Sequence, residues 1–328
     1  MVKARPPRKP LRKKTPATVT RPASRRGAAA PHGDLAVGVG LATVDLLCVV
    51  PRVEQRLVEV SVFSMQGGGS ATNILAVLST FGVRGRYFGR VGDDEFGRFI
   101  LRSLEQLQID TSLLAIEKGK VSPVSIIQID ELSHKRKVFV SRGNVTPLST
   151  RDLPDRLLDG AGLLCIDGSQ PALQAAVAEK ARAKGITVLL NASQLSGGMG
   201  ELLTLSDIVV GSERFANELA PSDELAHSLR EITRLGPRIA VITMGEAGAV
   251  ALEGSKLVQQ DAIDVFVEDT TGAGDAFCGA FAYAQLKHWP LERALPFANA
   301  AAGLACRSLG SRSGLTTVDE VTDAMKRG

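Results

Sequence analysis

From Asp34 onward, short apolar runs alternate with amphipathic stretches, and no other feature limits the fold so strongly. The runs at 35–44 (LAVGVGLATV), 85–91, 163–167, 186–191, 207–211 and 239–244 read as strands. Several are apolar almost without interruption, as strands are when helices cover both faces of a sheet. Between them the helical period marks 70–82, 94–107, 171–184, 213–220 and 223–235. This alternation predicts an α/β fold built on a three-layer, doubly wound, mostly parallel sheet. The last quarter reads as helical, from the turn at Gly272 through AFCGAFAYAQLKHW to LERALPFANAAAGLACRSLG, with Pro290 opening the second helix.

Two stretches break the pattern. Residues 56–66 (RLVEVSVFSMQ) and 121–142 alternate apolar and polar residues with period two, the second with a hairpin turn near ELSHK. Half-exposed strands of this kind suit a small four-stranded β-sheet lid standing off the body. Such a flap leaves one apolar face needing cover. The same flap of a second subunit would supply it, giving a homodimer through the lid. The alternative is a monomer whose lid closes over its own site. Val58, Val60, Val62 and Met65 do not keep one register, which predicts a bend or bulge near Phe63.

The charge is unevenly spread. The net +4 of the 328 residues hides a tail, 1–33, with ten Lys or Arg, six Pro and no acid. The remainder, 34–328, has 29 basic against 35 acidic residues, a net −6, and is read as a single catalytic domain. The tail has no apolar periodicity and is expected to be disordered. It lacks the apolar region of a secretory signal. A solvated segment, a tether to nucleic acid or an anionic surface, and an organelle transit peptide are its three readings. The body itself calls for no nucleic acid. No apolar run approaches the length of about 18 residues that spans a bilayer, so no membrane partner is expected. Cys48, Cys165, Cys278 and Cys306 are far apart in apolar surroundings. They read as buried thiols of a reducing compartment, hence a cytoplasmic protein without zinc.

Chemistry concentrates in two glycine-rich stretches. In EDTTGAGDAFCGAF (268–281), Gly272, Ala273 and Gly274 stand at a helix start. There the unpaired N–H groups and the helix dipole make an anion site that glycine lets a ligand approach. Asp275 follows at once, where a carboxylate beside an anion is costly. It is justified if Asp275 takes a proton from whatever attacks that anion. In MQGGGSATNILAVLSTFG (65–82), Gly67, Gly68 and Gly69 lead into a helix with Asn73 in its first turn. A tight turn needs one glycine, so three beside an Asn point to a hydroxylated ligand. Asp45 lies just after the first strand, in an apolar run where a carboxylate needs donors, and sugar hydroxyls are donors. GVGLAT (38–43) lacks the acid of a dinucleotide site, and no G-x-x-x-x-G-K-[ST] phosphate loop occurs. The histidines at 32, 134, 227 and 288 have neither metal nor triad spacing and read as surface residues.

GGGSATNILAVLSTFG…GRVGDDEFG and DTTGAGDAFCGAF, in that order and about 170 residues apart, resemble the two patterns of the ribokinase (PfkB-type) carbohydrate kinase family. The resemblance covers nearly all of 34–320 and is closest to the ketohexokinase and sulfofructose kinase branch. It implies an ATP-dependent sugar kinase with Mg²⁺ on the phosphates, Asp275 as general base, and Gly272, Ala273 and Gly274 as anion hole. Asp45, Gly68, Gly69 and Asn73 match residues that hold the sugar. Thr243, Gly245 and Gly248 of TMGEAG resemble the turn beside ATP, and Asn299 falls where the adenine pocket is lined. Asp269 and Thr271, with SLGSRSG (308–314), resemble the surroundings of a monovalent cation such as potassium. One departure stands out: Ser212 and Phe215 occupy the places of the family's Asn and Glu, which order phosphate and magnesium. A nucleoside kinase of the same fold and a non-catalytic sugar or nucleotide sensor are the rival readings. Ketohexoses, their sulfonated relatives, ribose and tagatose-type sugars all stand as substrates.

Overall fold

The computed structural model describes residues 33–51, 58–132, 136–222 and 224–326. The basic tail to His32, the segment 52–57 at the start of the expected flap strand, and the hairpin tip 133–135 lie outside them. The strands are β1 (Leu35–Val39), β2 (Thr43–Val50), β3 (Val62–Gly68), β4 (Arg84–Gly92), β5 (Asp110–Glu117), β6 (Val124–Asp130) and β7 (Arg136–Ser141). They continue with β8 (Ala161–Ile166), β9 (Thr187–Ala192), β10 (Ile208–Ser212), β11 (Ile239–Thr243), β12 (Ala249–Glu253) and β13 (Lys256–Gln260). The helices are α1 (Ser70–Thr80), α2 (Glu95–Gln106), α3 (Pro171–Ala183), α4 (Met199–Leu205) and α5 (Glu213–Leu219). They are completed by α6 (Leu225–Leu235), α7 (Ala273–Leu286), α8 (Leu291–Ala305) and α9 (Val318–Met325).

Nine strands form the body in the order β13-β12-β11-β10-β9-β8-β1-β4-β5. All pairings from β11 to β5 are parallel, and β12 and β13 close one edge antiparallel. Helices α1, α2, α7 and α8 bury one face around Tyr87, Phe277, Phe281 and Phe297. Helices α3 to α6 bury the other around Phe215 and the leucines of β8 and β9. Strand order reverses where β1 lies between β8 and β4. In open parallel sheets such a switch point opens a crevice at the carboxyl ends of the strands.

The run 35–44, expected as one strand, is two elements. The chain leaves the body at Gly40, whose carbonyl accepts the Tyr87 hydroxyl at 2.8 Å, and re-forms as β2 in a second sheet. Asp45 therefore sits within a lid strand rather than after a body strand. That sheet, ordered β3-β2-β6-β7, is the lid. Its β3 starts at Val62 and pairs with β2 from Val62 to Gly68 without a register shift, so there is no bulge at Phe63. Val62 and Met65 simply face opposite sides. The edge strand β5, the hairpin β12–β13 and helices α4 and α9 were not anticipated. They are short or half exposed, and period alone does not mark such segments. Of the cysteines, Cys165 and Cys278 are buried, while Cys48 and Cys306 are only half buried.

Phe215 settles what the departure at β10 means for the fold. Ser212 caps α5, its hydroxyl accepting from the Phe215 N–H at 3.1 Å and donating to the Ser193 carbonyl at 2.8 Å. The Phe215 ring is fully buried, and a Cβ at Gly211 would lie 2.6 Å from it. Phe215 is a core residue, and a carboxylate in its place would be buried without a partner. Phe215→Glu is expected to lower stability by about 3 kcal/mol or more, read as a shift in urea midpoint. An unchanged midpoint would mean that position 215 opens to solvent.

Candidate active site

The first turn of α7 divides two cavities. Thr271, Gly272 and Asp275 line one of about 600 Å³, between the lid and the carboxyl ends of β8 and β9. Thr270, Ala273, Gly274 and Phe277 line the other, of about 720 Å³, with the turn after β11. Gly272 is the N-cap, with φ 81° and ψ −3° and no side chain to cap the turn. A Cβ there would lie 2.6 Å from the Ser311 backbone. A Cβ on Gly274 would meet no protein atom within 4 Å, so nothing inside the chain demands that glycine. The helix start offers its unpaired N–H groups to the junction of the two cavities.

Asp275 is held from three sides. Ser70 Oγ donates to Oδ1 at 2.5 Å, Asn191 Nδ2 to Oδ1 at 2.9 Å, and Asn73 Nδ2 to Oδ2 at 2.9 Å. Oδ2 therefore keeps a lone pair toward the cavity. Burial raises its pKa from the usual carboxylate range to about 6, the bonds from Ser70 and Asn73 oppose that rise, and Asp167 and Asp45 add to it. Such a carboxylate is a stronger base than an exposed one and still ionised at neutral pH.

Ser70, Asn191, Asp167 and Arg312 were not foreseen. Arg312 Nε donates to Asn73 Oδ1 at 2.9 Å, and its other nitrogens reach Thr72 Oγ1 and Ser103 Oγ at 2.9 and 3.3 Å. Burial lowers its pKa to about 10. The Asn73 amide thus bridges Arg312 and Asp275 and orients the Asp275 carboxylate, and Asn73, expected to hold sugar, also lines the cavity. Asp167 accepts from Ser169 and Gln174 and, at 3.3 Å, from the Ala71 N–H. Arg312 stands in SLGSRSG, so the clue was in the sequence, but nothing local shows that loop reaching α1.

Each of the three glycines before α1 has its own reason. A Cβ on Gly67 would meet the Arg312 guanidinium at 2.2 Å, and one on Gly68 the Asp45 carboxylate at 2.2 Å. Gly69 has φ 99° and abuts the Leu41 carbonyl. Two of the three therefore make room for charged side chains of the protein. Asp45 is buried in the cavity wall and receives the Thr43 hydroxyl at 2.9 Å, and desolvation raises its pKa.

In the second cavity, Thr243, Gly245, Gly248 and Asn299 come together as expected. Gly245 and Gly248 have φ 60° and 83°. Asn299 is buried and donates to the Gln260 and Asp261 carbonyls at 2.9 and 3.2 Å, pinning the wall where β13 ends. Asp269 is buried and accepts from the Thr271 N–H and hydroxyl and from the Gly310 N–H. It joins the α7 turn to the 308–314 loop. Among the described residues no group of three His, Cys, Asp or Glu is placed to hold a metal ion, and no helix is long and apolar enough to cross a membrane. His227 and His288 are exposed.

A doubly wound sheet, a β lid over a polar cavity and a half-buried carboxylate at a helix start between two cavities are the layout of a phosphotransferase acting on sugar hydroxyls. The chain belongs to the pfkB family of carbohydrate kinases, whose model matches residues 34–318. It is 29% identical to the ATP-dependent ribose-1-phosphate kinase of Halopiger xanaduensis, over 83% of this chain and 92% of that one. It is 27% identical to the fructokinase of Salmonella typhimurium, over 84% and 94%. The fold matches the ribokinase of Arabidopsis thaliana solved with ribose and ATP, with a TM-score of 0.77 at 22% identity, covering 90% of this chain and 99% of that one. It also matches the ribokinase of Giardia lamblia, at 0.78 and 22%, covering 91% and 99%.

The raised pKa makes a prediction about stability. A carboxylate with a folded pKa near 6 binds its proton more tightly folded than unfolded. Stability therefore falls as pH rises from about 4 to about 6. Asp275→Asn removes that loss. Its stability should match the parent's near pH 4 and exceed it above pH 6, by melting temperature. A constant difference across that range would show that Asp275 is not perturbed.

Proposed function

We propose that this chain transfers the γ-phosphoryl group of ATP to a primary hydroxyl of a monosaccharide, a ketohexose, ribose or a related sugar, with Asp275 as general base. One observation carries the reading: successive residues of a single helical turn face two cavities, Asp275 toward one and Gly274 toward the other. The sugar hydroxyl lies at Asp275 Oδ2 and the triphosphate reaches the helix start from the Gly274 side. The hydroxyl oxygen forms the new P–O bond as the bond from the γ-phosphorus to the β,γ-bridging oxygen breaks. The proton passes to Asp275 and ADP leaves. Positioning and charge stabilisation by the α7 N–H groups do most of the work.

Magnesium enters as part of the substrate, on the ATP phosphates, where it neutralises charge. Ser212 and Phe215 offer it no ligand. A monovalent cation beside Asp269 and Thr271 belongs to the same reading. Arg136 on the lid donates to Thr271 Oγ1 at 3.3 Å, which sets a positive charge beside the transferring group and joins lid closure to the exclusion of water. Asp45, with spare acceptor capacity, holds hydroxyls. Among the described residues that line the sugar cavity there is no aromatic ring, which favours a sugar over a nucleoside needing a base slot. Trp289 packs against Tyr283 and Phe297 instead.

The lid's outer face exposes Phe63, Met65, Ile126 and Phe139, at 64, 44, 45 and 47%. A homodimer through this face completes the proposal. Light scattering should show a dimer that Phe63→Glu with Phe139→Glu converts to monomer; a parent protein monomeric at every concentration would exclude it.

The function itself is tested by ATP turnover across a panel of sugars and nucleosides. Sugar-dependent ADP release is expected, with kcat about 10² lower in Asp275→Asn and ATP affinity kept. Retained activity in that variant would remove Asp275 as base, and turnover only with nucleosides would replace the sugar reading.

A further inference from the structure

The inner face of β7 reads Arg136, Val138, Val140 and, one step past the strand, Arg142, and all four line the sugar cavity. The floor carries Asp167 and Asp275, while Asp45 stands on lid strand β2, with β6 between it and β7. The cavity is therefore acidic on its floor, and the two arginines bring positive charge to the β7 edge of the lid. Asp275 and Asp167 are engaged by donors of the protein, and Arg312 lies behind Asn73. The two lid arginines are different. Among the described residues neither makes an ion pair, and Arg142 makes no side-chain hydrogen bond at all.

Arg136 has a partner in the reaction, because it stands at Thr271 beside the transferring phosphoryl group. Arg142 is six residues further along an extended strand, about 20 Å away, and is out of reach of that group. Arg142 is exposed, and a lid that closed over a neutral sugar would strip water from its guanidinium with no counter-charge, which is unfavourable. Within the cavity the compensating anion must come with the acceptor. Ser169, Gln194 and Ser196, uncharged and polar, line the same cavity and put no further carboxylate against such a group.

We infer that the acceptor is a sugar bearing an anionic group, a phosphate ester or a carboxylate, remote from the hydroxyl that attacks, and that Arg142 holds this group. The inference rests on the sugar-kinase reading and deepens it. The sugar's hydroxyls lie on Asp45 and Asp275, its anion meets the lid, and closure is driven by the charge that the acceptor carries. With a phosphate ester the product is a bisphosphate.

The test uses the full chain with ATP and three kinds of acceptor: ribose and fructose, ribose 1-phosphate and fructose 6-phosphate, and gluconate as carboxylate carrier. An anionic acceptor should exceed its neutral parent in kcat/KM by about 100-fold, and whether phosphate or carboxylate does so identifies the anion. Arg142→Gln should shrink that ratio about tenfold or more, through KM, with Arg142→Lys recovering part of it. Melting temperatures of both variants confirm that they fold. Neutral sugars used as well as anionic ones, or a ratio unchanged in Arg142→Gln, would overturn the inference and leave the kinase reading intact. Calorimetric binding without ATP separates the other failure. Tight, Arg142-dependent binding of fructose 6-phosphate without turnover would overturn the kinase reading alone, and neither binding nor turnover of any anionic sugar would overturn the inference.

Discussion

A half-buried carboxylate at the positive end of a helix is the constraint on which the rest of this molecule depends. Asp275 is kept ionisable by Ser70 and Asn73 from α1 and by Asn191 from the end of β9. These donors come from elements far apart in sequence, so the carboxylate is positioned only when α1, β9 and α7 are packed together. The alanine-rich α7 lies close on α1, where Gly279 leaves no room for a Cβ against Val77. Packing and chemistry meet in the same helix pair.

The lid depends on that arrangement too. Arg312 connects the 308–314 loop to Asn73, and Gln66 of β3 donates to the Leu309 carbonyl at 2.8 Å and to Ser313 Oγ at 2.7 Å. Leu309 packs with Leu47, Ile127 and Ile129 of the lid. The loop that follows α8 thus touches the lid, the Asn73 amide that holds Asp275 and, through Gly310 and Asp269, the turn before α7. On the proposed reading, a sugar that draws the lid down acts on a structure already joined to the helix start. This suits transfer to a hydroxyl in preference to water.

Much of this was legible in the residues. GAGD at 272–275 marked the helix start that stands between the two cavities with Asp275 facing one of them, because small residues open a helix start and an acid beside them is otherwise out of place. The apolar runs of β8 to β11 gave the parallel sheet, since strands covered on both faces have little choice of composition. What escaped has a common physical cause. Asn191, Asp167 and Arg312 lie at strand ends and in a loop, each beside ordinary neighbours, and become functional only through contacts across the fold. The break at Gly40 escaped because its cause, the Tyr87 hydroxyl, comes from a different strand. The triple glycine was read as room for ligand alone, while two of the three make room for Arg312 and Asp45.

The central claim is that Asp275 acts as a base whose pKa the protein sets near 6. The most direct measurement is the pH dependence of kcat/KM for the best acceptor at saturating magnesium ATP. A plateau at neutral pH should give way below about pH 6 to a fall of tenfold per unit, as the carboxylate takes up its proton. A rate that stays level from pH 8 down to pH 5 would contradict the account, because the base would then be some other group.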